Sequence, residues 1–185
     1  MPTRSAQNHR FYHGELGGIS VLDASGALVP EAHAILEAVA QNDGMVSTGH
    51  LSPREAAVLI RQAHQCGVRK VLVTHPEWAP TFYPLSLQKE LALLGNVWFE
   101  RCFVSTTHLC GCVPFGVIEQ AIVEVGVETT VLSTDLGQPQ TPPPAEGMRL
   151  YAERLKSSGF SVEQIRTMMC TNPAHLVSAD GVGQV

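Results

Sequence analysis

Lys70-Val71-Leu72-Val73-Thr74-His75-Pro76-Glu77 is the stretch on which the fold turns. A β-branched run over 70–74 reads as a short strand, and a histidine is the first residue after it. The same beat recurs on both sides. Runs of this kind stand at 19–23 (ISVLD), 45–48 (MVST), 97–103 (VWFERCF) and 129–134 (TTVLST). Amphipathic stretches near 31–42, 53–66, 84–94, 114–125, 146–158 and 162–170 fall between or after them. Strands alternating with helices of ten to fifteen residues predict βα units and a parallel sheet.

The helix ends carry their own signals. Ser52-Pro53-Arg54-Glu55 and Ser161-Val162-Glu163-Gln164 have the spacing of a capping box, the first with proline at the first helical position. Gly67, Gly95, Gly126 and Gly159 each follow a helical run, where a left-handed C-terminal cap suits glycine. Gln138–Pro144 reads as a loop after the last strand. Residues 1–18 are polar and glycine-ended and predict a flexible arm, leaving 19–185 as one α/β domain. Five βα units in the roughly 167 residues after the arm fall short of the about 250 that a closed eight-stranded barrel takes. The expected architecture is therefore a partial, TIM-like (β/α) barrel of about five parallel units. An open sheet and a piece completed by oligomerisation are the alternatives.

Composition narrows the function classes. Of 185 residues, 44% are hydrophobic and 16% charged, and the net charge is −5. A disordered chain is excluded. The absence of a basic run argues against a nucleic-acid partner, and no apolar stretch nears the about 20 residues that span a bilayer. No apolar leader opens the chain, so a cytoplasmic location is expected. Five cysteines, at 66, 102, 110, 112 and 170, are not spaced as a disulfide scaffold. Phosphate loops, dinucleotide fingerprints, the serine-hydrolase elbow and HExxH are all missing.

In parallel-sheet folds the chemistry gathers at the carboxyl ends of the strands. His50 follows 45–48, His75 follows 70–74 and Asp135 follows 129–134. Two imidazoles and a carboxylate converging on one mouth form a donor set for a divalent metal: zinc foremost, with manganese or iron as alternatives. Asp135 would bind the metal or take a proton from water. Glu77, Glu100 and His108 are candidates for orienting the imidazoles or meeting substrate. Each has a plainer reading: Asp135 as an N-cap, Glu100 as a paired acid or a surface charge, and His108-Leu109-Cys110-Gly111-Cys112 as a loop with incidental thiols. That loop is also the seat of a rival reading in which a cysteine is the nucleophile. The loops 76–84, 104–113 and 136–146, with Trp78, Phe82, Tyr83 and Phe115, predict a partly apolar mouth for a small organic substrate.

Thr48-Gly49-His50, Thr74-His75-Pro76 and Ser133-Thr134-Asp135-Leu136-Gly137-Gln138 together resemble the C-terminal part of metal-dependent hydrolases of the amidohydrolase superfamily. More narrowly, they are similar to a poorly characterised family of predicted metal-dependent barrel hydrolases. Asn172-Pro173-Ala174-His175-Leu176 is similar to the Asn-Pro-Ala-x-x-Leu run of a late helix in that superfamily. The resemblance covers roughly 19–178. It implies that His50 and His75 are the metal ligands of the fifth and sixth barrel strands, and that Asp135 is the eighth-strand aspartate, ligand and general base. It also implies a hydrolase of amides, lactones or esters. The first-strand His-x-His of the superfamily has no counterpart, and His9 and His13 cannot stand in for it. The chain then corresponds either to a fragment of a full barrel or to a natural half barrel, whose open edges predict a homo-oligomer. A degenerate half barrel serving as a binding or assembly module is the competing expectation.

Overall fold

The structure, a computed structural model, describes residues 1, 5–14 and 17–178. Residues 2–4 and 15–16 of the expected arm, and 179–185 at the end of the expected domain, lie outside the described residues. Four parallel strands form one sheet: β1 Met45–Ser47, β2 Lys70–Thr74, β3 Val97–Cys102 and β4 Thr130–Ser133. Their order is β1-β2-β3-β4, so each crossover steps to the adjacent strand in the same direction. Crossovers of one hand then place the connecting helices on a single face.

That face is the main core. Val46, Val71, Val73, Val97 and Phe99 pack against Ala32 and Leu36 of α2 (Pro30–Gln41), Leu59 and Ile60 of α3 (Pro53–Gln65) and Leu91 of α4 (Leu85–Ala92). A second cluster continues beyond β4. It joins Leu132 to Ile118 and Ile122 of α5 (Phe115–Val125), to Tyr151 and Leu155 of α6 (Pro144–Ser157), and to Ile165 of α7 (Val162–Arg166). Each fully buried Leu or Ile contributes about 1.5–3 kcal/mol of transfer free energy. Ser52 and Ser161 close capping boxes with Glu55 and Gln164, as expected from their spacing.

The opposite face carries Leu72, Trp98 and Val131 toward the amino ends of the strands, and there Leu176 of α8 (Asn172–Val177) covers them. Asn172 Nδ2 donates to the carbonyls of Val127 (2.9 Å) and Thr130 (2.6 Å), and Lys70 Nζ donates to that of Ser178 at 2.6 Å. The helix expected over 162–170 thus runs on through a π turn at Thr167–Thr171 into α8. Pro173, which has no N–H, sits in the first turn of α8, directly after this wider turn.

Two expectations are corrected. The sheet has four strands rather than five, because 19–23 pairs with nothing in it. Asp23 Oδ1 accepts from the N–H groups of Ser25 (2.8 Å) and Ala27 (3.1 Å), and Val29 N–H donates to the Val21 carbonyl at 2.9 Å. Asp23-Ala24-Ser25-Gly26 is therefore a tight turn, and it folds 21–23 back on 27–29. Within the segment read as an irregular arm, Ala6–His13 forms a helix, α1. No described helix is long and apolar enough to cross a membrane.

Candidate functional site

The carboxyl ends of the strands present a different surface from the capped amino ends. Toward the carboxyl ends of the strands the face opposite the main core carries a band of polar side chains in a row: Ser47, Thr74, Glu100, Cys102 and Ser133. The Ser47 and Thr74 hydroxyls are 2.6 Å apart, and Cys102 Sγ lies 3.2 Å from Ser133 Oγ. Thr48 ties β1 to β2 by accepting the Thr74 N–H at 3.1 Å while its own N–H reaches the Leu72 carbonyl at 2.9 Å.

His50 and His75 leave β1 and β2 directly above this row, with ring centroids 4.9 Å apart. The Trp78 indole packs on both, at 5.0 and 4.8 Å. Gly49 (φ 55°) makes the turn into His50, whose carbonyl accepts from the Ser5 hydroxyl. His75 is 5% exposed, and its Nδ1 lies 3.4 Å from Thr81 Oγ1. Burial, reinforced by His50, lowers its pKa to about 4, which keeps the ring neutral and able to act as a lone-pair donor.

Asp135 follows β4 and interacts electrostatically with His50; desolvation raises its pKa while His50 draws it down. Glu100 bonds Ser133, and its pKa is raised first by burial and then by Asp135. His75 (φ 29°) and Asp135 (φ 50°) both hold left-handed backbone, a costly conformation for side chains with a Cβ. Each is held by its surroundings. The Trp78 N–H donates to the His75 carbonyl at 3.1 Å, and Leu136, next to Asp135, lies against Gly147 of α6, where a methyl group would overlap it.

The expected site residues therefore separate into groups. His50 and His75 come together, Asp135 faces His50 and Glu100 faces Asp135. Glu77 does not turn to the imidazoles: its carboxylate is buried on the helix-covered side in an ion pair with Arg101. His108 is exposed on the loop after β3, with no described contact to the imidazole pair. Tyr83 and Phe115 are not mouth residues either. Tyr83 is fully buried in the main core, and Phe115 packs against Tyr151.

Three residues here escaped the sequence reading. Arg101, fully buried, pairs with Glu77 and also donates to Gln88 Oε1 at 3.1 Å. A lone opposite charge in the neighbouring βα loop was its only trace. Ser5 and Tyr12 come from the segment read as an arm, and Tyr12 stands 6.3 Å from Trp78. Of the two thiols in the loop behind the cysteine reading, Cys110 has its pKa raised by burial and by Asp135, the opposite of an activated thiol.

Among the described residues, no three His, Cys, Asp or Glu side chains converge as a formed metal cage. The donors themselves suit a divalent cation of borderline softness: two imidazoles, one of them held neutral, and two carboxylates short of positive charge.

The fold and site define a parallel α/β protein with an imidazole pair and two carboxylates at the strand ends. Residues 1–100 match the model of a family of unknown function (DUF6282), and the chain belongs to that family. The matched region contains His50, His75 and Glu100, and Asp135 lies beyond it. No curated protein and no solved structure matches the chain.

Proposed function

We propose that this protein is a metal-dependent hydrolase of the amidohydrolase type, acting on an amide, lactone or ester of a small organic substrate, with its sheet an arc of a (β/α) barrel. The observation that carries the reading is the His50–His75 pair, 4.9 Å apart at the ends of adjacent parallel strands, with Asp135 acting on His50. His50, His75 and Asp135 would hold the cation: zinc foremost, manganese or iron otherwise. Such a cation supplies Lewis acidity toward a carbonyl oxygen and toward water.

The remaining chemistry belongs to the chain. Asp135 accepts a proton from the attacking water and returns it to the leaving nitrogen or oxygen. Glu100, bonded to Ser133 beside it, offers a second carboxyl to a substrate N–H or hydroxyl. The Thr81 hydroxyl sets the His75 ring, and Trp78 shields both imidazoles from bulk water.

The test is metal content by plasma mass spectrometry, on protein purified without chelators or affinity metal, beside a His50→Ala/His75→Ala variant. About one metal per chain, lost in the variant, is expected. No metal in either protein after reconstitution with zinc, manganese or iron overturns the reading and leaves an assembly module as the better account.

A further inference from the structure

Beside the imidazole pair lies a cleft of about 200 Å³ that the hydrolytic reading does not use. Its walls are Phe11 and Tyr12 of α1, Trp78 and Pro80 of the loop after β2, and Leu109 and Cys110 of the loop after β3. Tyr12 and Trp78 stand 6.3 Å apart, and Phe11 meets Tyr12 edge-on at 5.2 Å. Three aromatic side chains from two unconnected elements thus surround a space below the 300–1,000 Å³ of a drug-sized pocket. It has the size of a small head group.

No charged side chain among the described residues lines the cleft. The carboxylate of Asp135 acts on both Cys110 and His50, with Glu100 next to it. No lysine or arginine figures among the groups acting on either carboxylate. An anionic ligand would therefore find no cation on these walls and two carboxylates close by, and a neutral apolar one would leave the aromatic quadrupoles and those carboxylates without a partner. A cation satisfies both, since the faces of tryptophan and tyrosine attract ammonium groups within about 6 Å. The chain's net charge of −5 favours its approach.

We propose that the Phe11–Tyr12–Trp78 cleft is a binding subsite for an organic cation, an alkylammonium head group. Resting on the hydrolase reading, this makes the substrate an amine-bearing amide, lactone or ester. Its ammonium group is bound on the outer side of Trp78 while the reacting carbonyl reaches the imidazoles on the inner side. Once a divalent metal balances the two carboxylates, the selectivity lies with the aromatic faces, so it persists in metal-loaded protein.

The probe is choline, against its neutral isostere 3,3-dimethylbutan-1-ol and the anionic 3,3-dimethylbutanoate. The reporter is Trp78 fluorescence in a Trp98→Phe variant of the full chain, in which Trp78 is the single tryptophan. The expected result is a saturable change with choline, at least about tenfold weaker for the neutral isostere and absent for the anion. Tyr12→Ala should weaken choline at least about fivefold, and Tyr12→Phe, which keeps the ring, should not. Tyr12 is 57% exposed, so the alanine variant keeps the sheet and its core, checked by circular dichroism, and Tyr12→Leu, which keeps an apolar contact to Trp78 and so keeps α1 docked, should weaken choline as much as alanine does. Equal response to choline and its neutral isostere, tighter binding of the anion, or choline binding indifferent to Tyr12→Ala each overturn the proposal. Because metal content is measured separately, a metal-binding protein without choline selectivity loses only the subsite. A choline-selective protein without metal loses only the hydrolase.

Discussion

Replacing Arg101 by methionine removes the guanidinium that Glu77, 3% exposed, was folded against. A buried ion pair broken from one side leaves the other charge in low dielectric, at a cost of about 3–5 kcal/mol. Against a typical total of about 5–15 kcal/mol, that is a large fraction of the stability. The cost should also depend on pH. Burial already pushes the Glu77 pKa above the ordinary carboxylate value while Arg101 pulls it down, so removing Arg101 raises it further. An acid with a raised folded-state pKa gains stability as pH falls from that value toward its unfolded one, because the folded chain takes up the proton first. Arg101→Met should therefore be most destabilised at pH 7.5 and recover part of the loss by pH 5. Urea unfolding of both proteins at the two pH values, followed by circular dichroism, measures the difference directly. Effects of other titrating groups are shared by the two chains and cancel in the comparison. A double variant, Glu77→Leu/Arg101→Met, should return close to the parent, since apolar replacement of a buried pair is often neutral. A cost under about 1 kcal/mol that does not change with pH would refute the reasoning; it would mean that water reaches Glu77.

The other two expectations concern the site histidine and the capping helix. His75 titrates near 6.5 when unfolded and at about 4 when folded, so the unfolded chain binds the extra proton and stability falls as pH drops through that window. The full loss is about 3 kcal/mol below pH 4. His75→Asn, which tolerates the left-handed backbone, should flatten the urea midpoint between pH 6.5 and 4, and an unchanged slope would place the titration elsewhere. Asn172→Ala strips the Val127 and Thr130 carbonyls of their shared donor and should cost about 1–3 kcal/mol. Amide exchange should then accelerate in α8 before it does in β2 or β3, whereas uniform acceleration would contradict a local cap.

Reading the sequence recovered what local chemistry controls. Strands 70–74 and 45–48, both serine capping boxes and the strand-end positions of His50, His75 and Asp135 depend on residues within a few positions of one another. The failures are of the opposite kind. The run 19–23 has strand composition, but the Asp23–Gly26 turn spends its backbone groups on a local hairpin, and a short apolar run does not reveal which partner wins. Residues 6–13 have no apolar period; α1 is held by Tyr12 on Trp78 and by Ser5 on the His50 carbonyl, contacts that link residues more than forty positions apart. Glu77 sits two residues from a candidate ligand, and proximity in sequence suggested the imidazoles as its partner. The left-handed backbone at His75 breaks the strand's alternation there, so the two side chains do not share a side and the carboxylate meets Arg101 instead.

That division of the sheet into two sides and two ends bears on what the molecule is for. On the face opposite the main core the side chains change character within two residues along β2, β3 and β4, from Leu72 to Thr74, from Trp98 to Glu100 and from Val131 to Ser133. The apolar end is closed by Leu176, and the polar end lies beneath the two imidazoles and Asp135. Stability alone favours the reverse of what this end contains. Glu100 and Asp135 are both raised above their ordinary pKa values, and a raised carboxylate costs stability at neutral pH. His75 and Asp135 add left-handed backbone, at about 1–3 kcal/mol for each such residue. A divalent cation bound among these donors would remove the electrostatic part of that cost, stabilising the folded chain by RT ln(1 + [L]/Kd), or about 2.7 kcal/mol at a hundredfold excess over Kd. The gathering of two raised carboxylates beside the imidazole pair at one end of the sheet is thus the physical ground for looking there for a ligand.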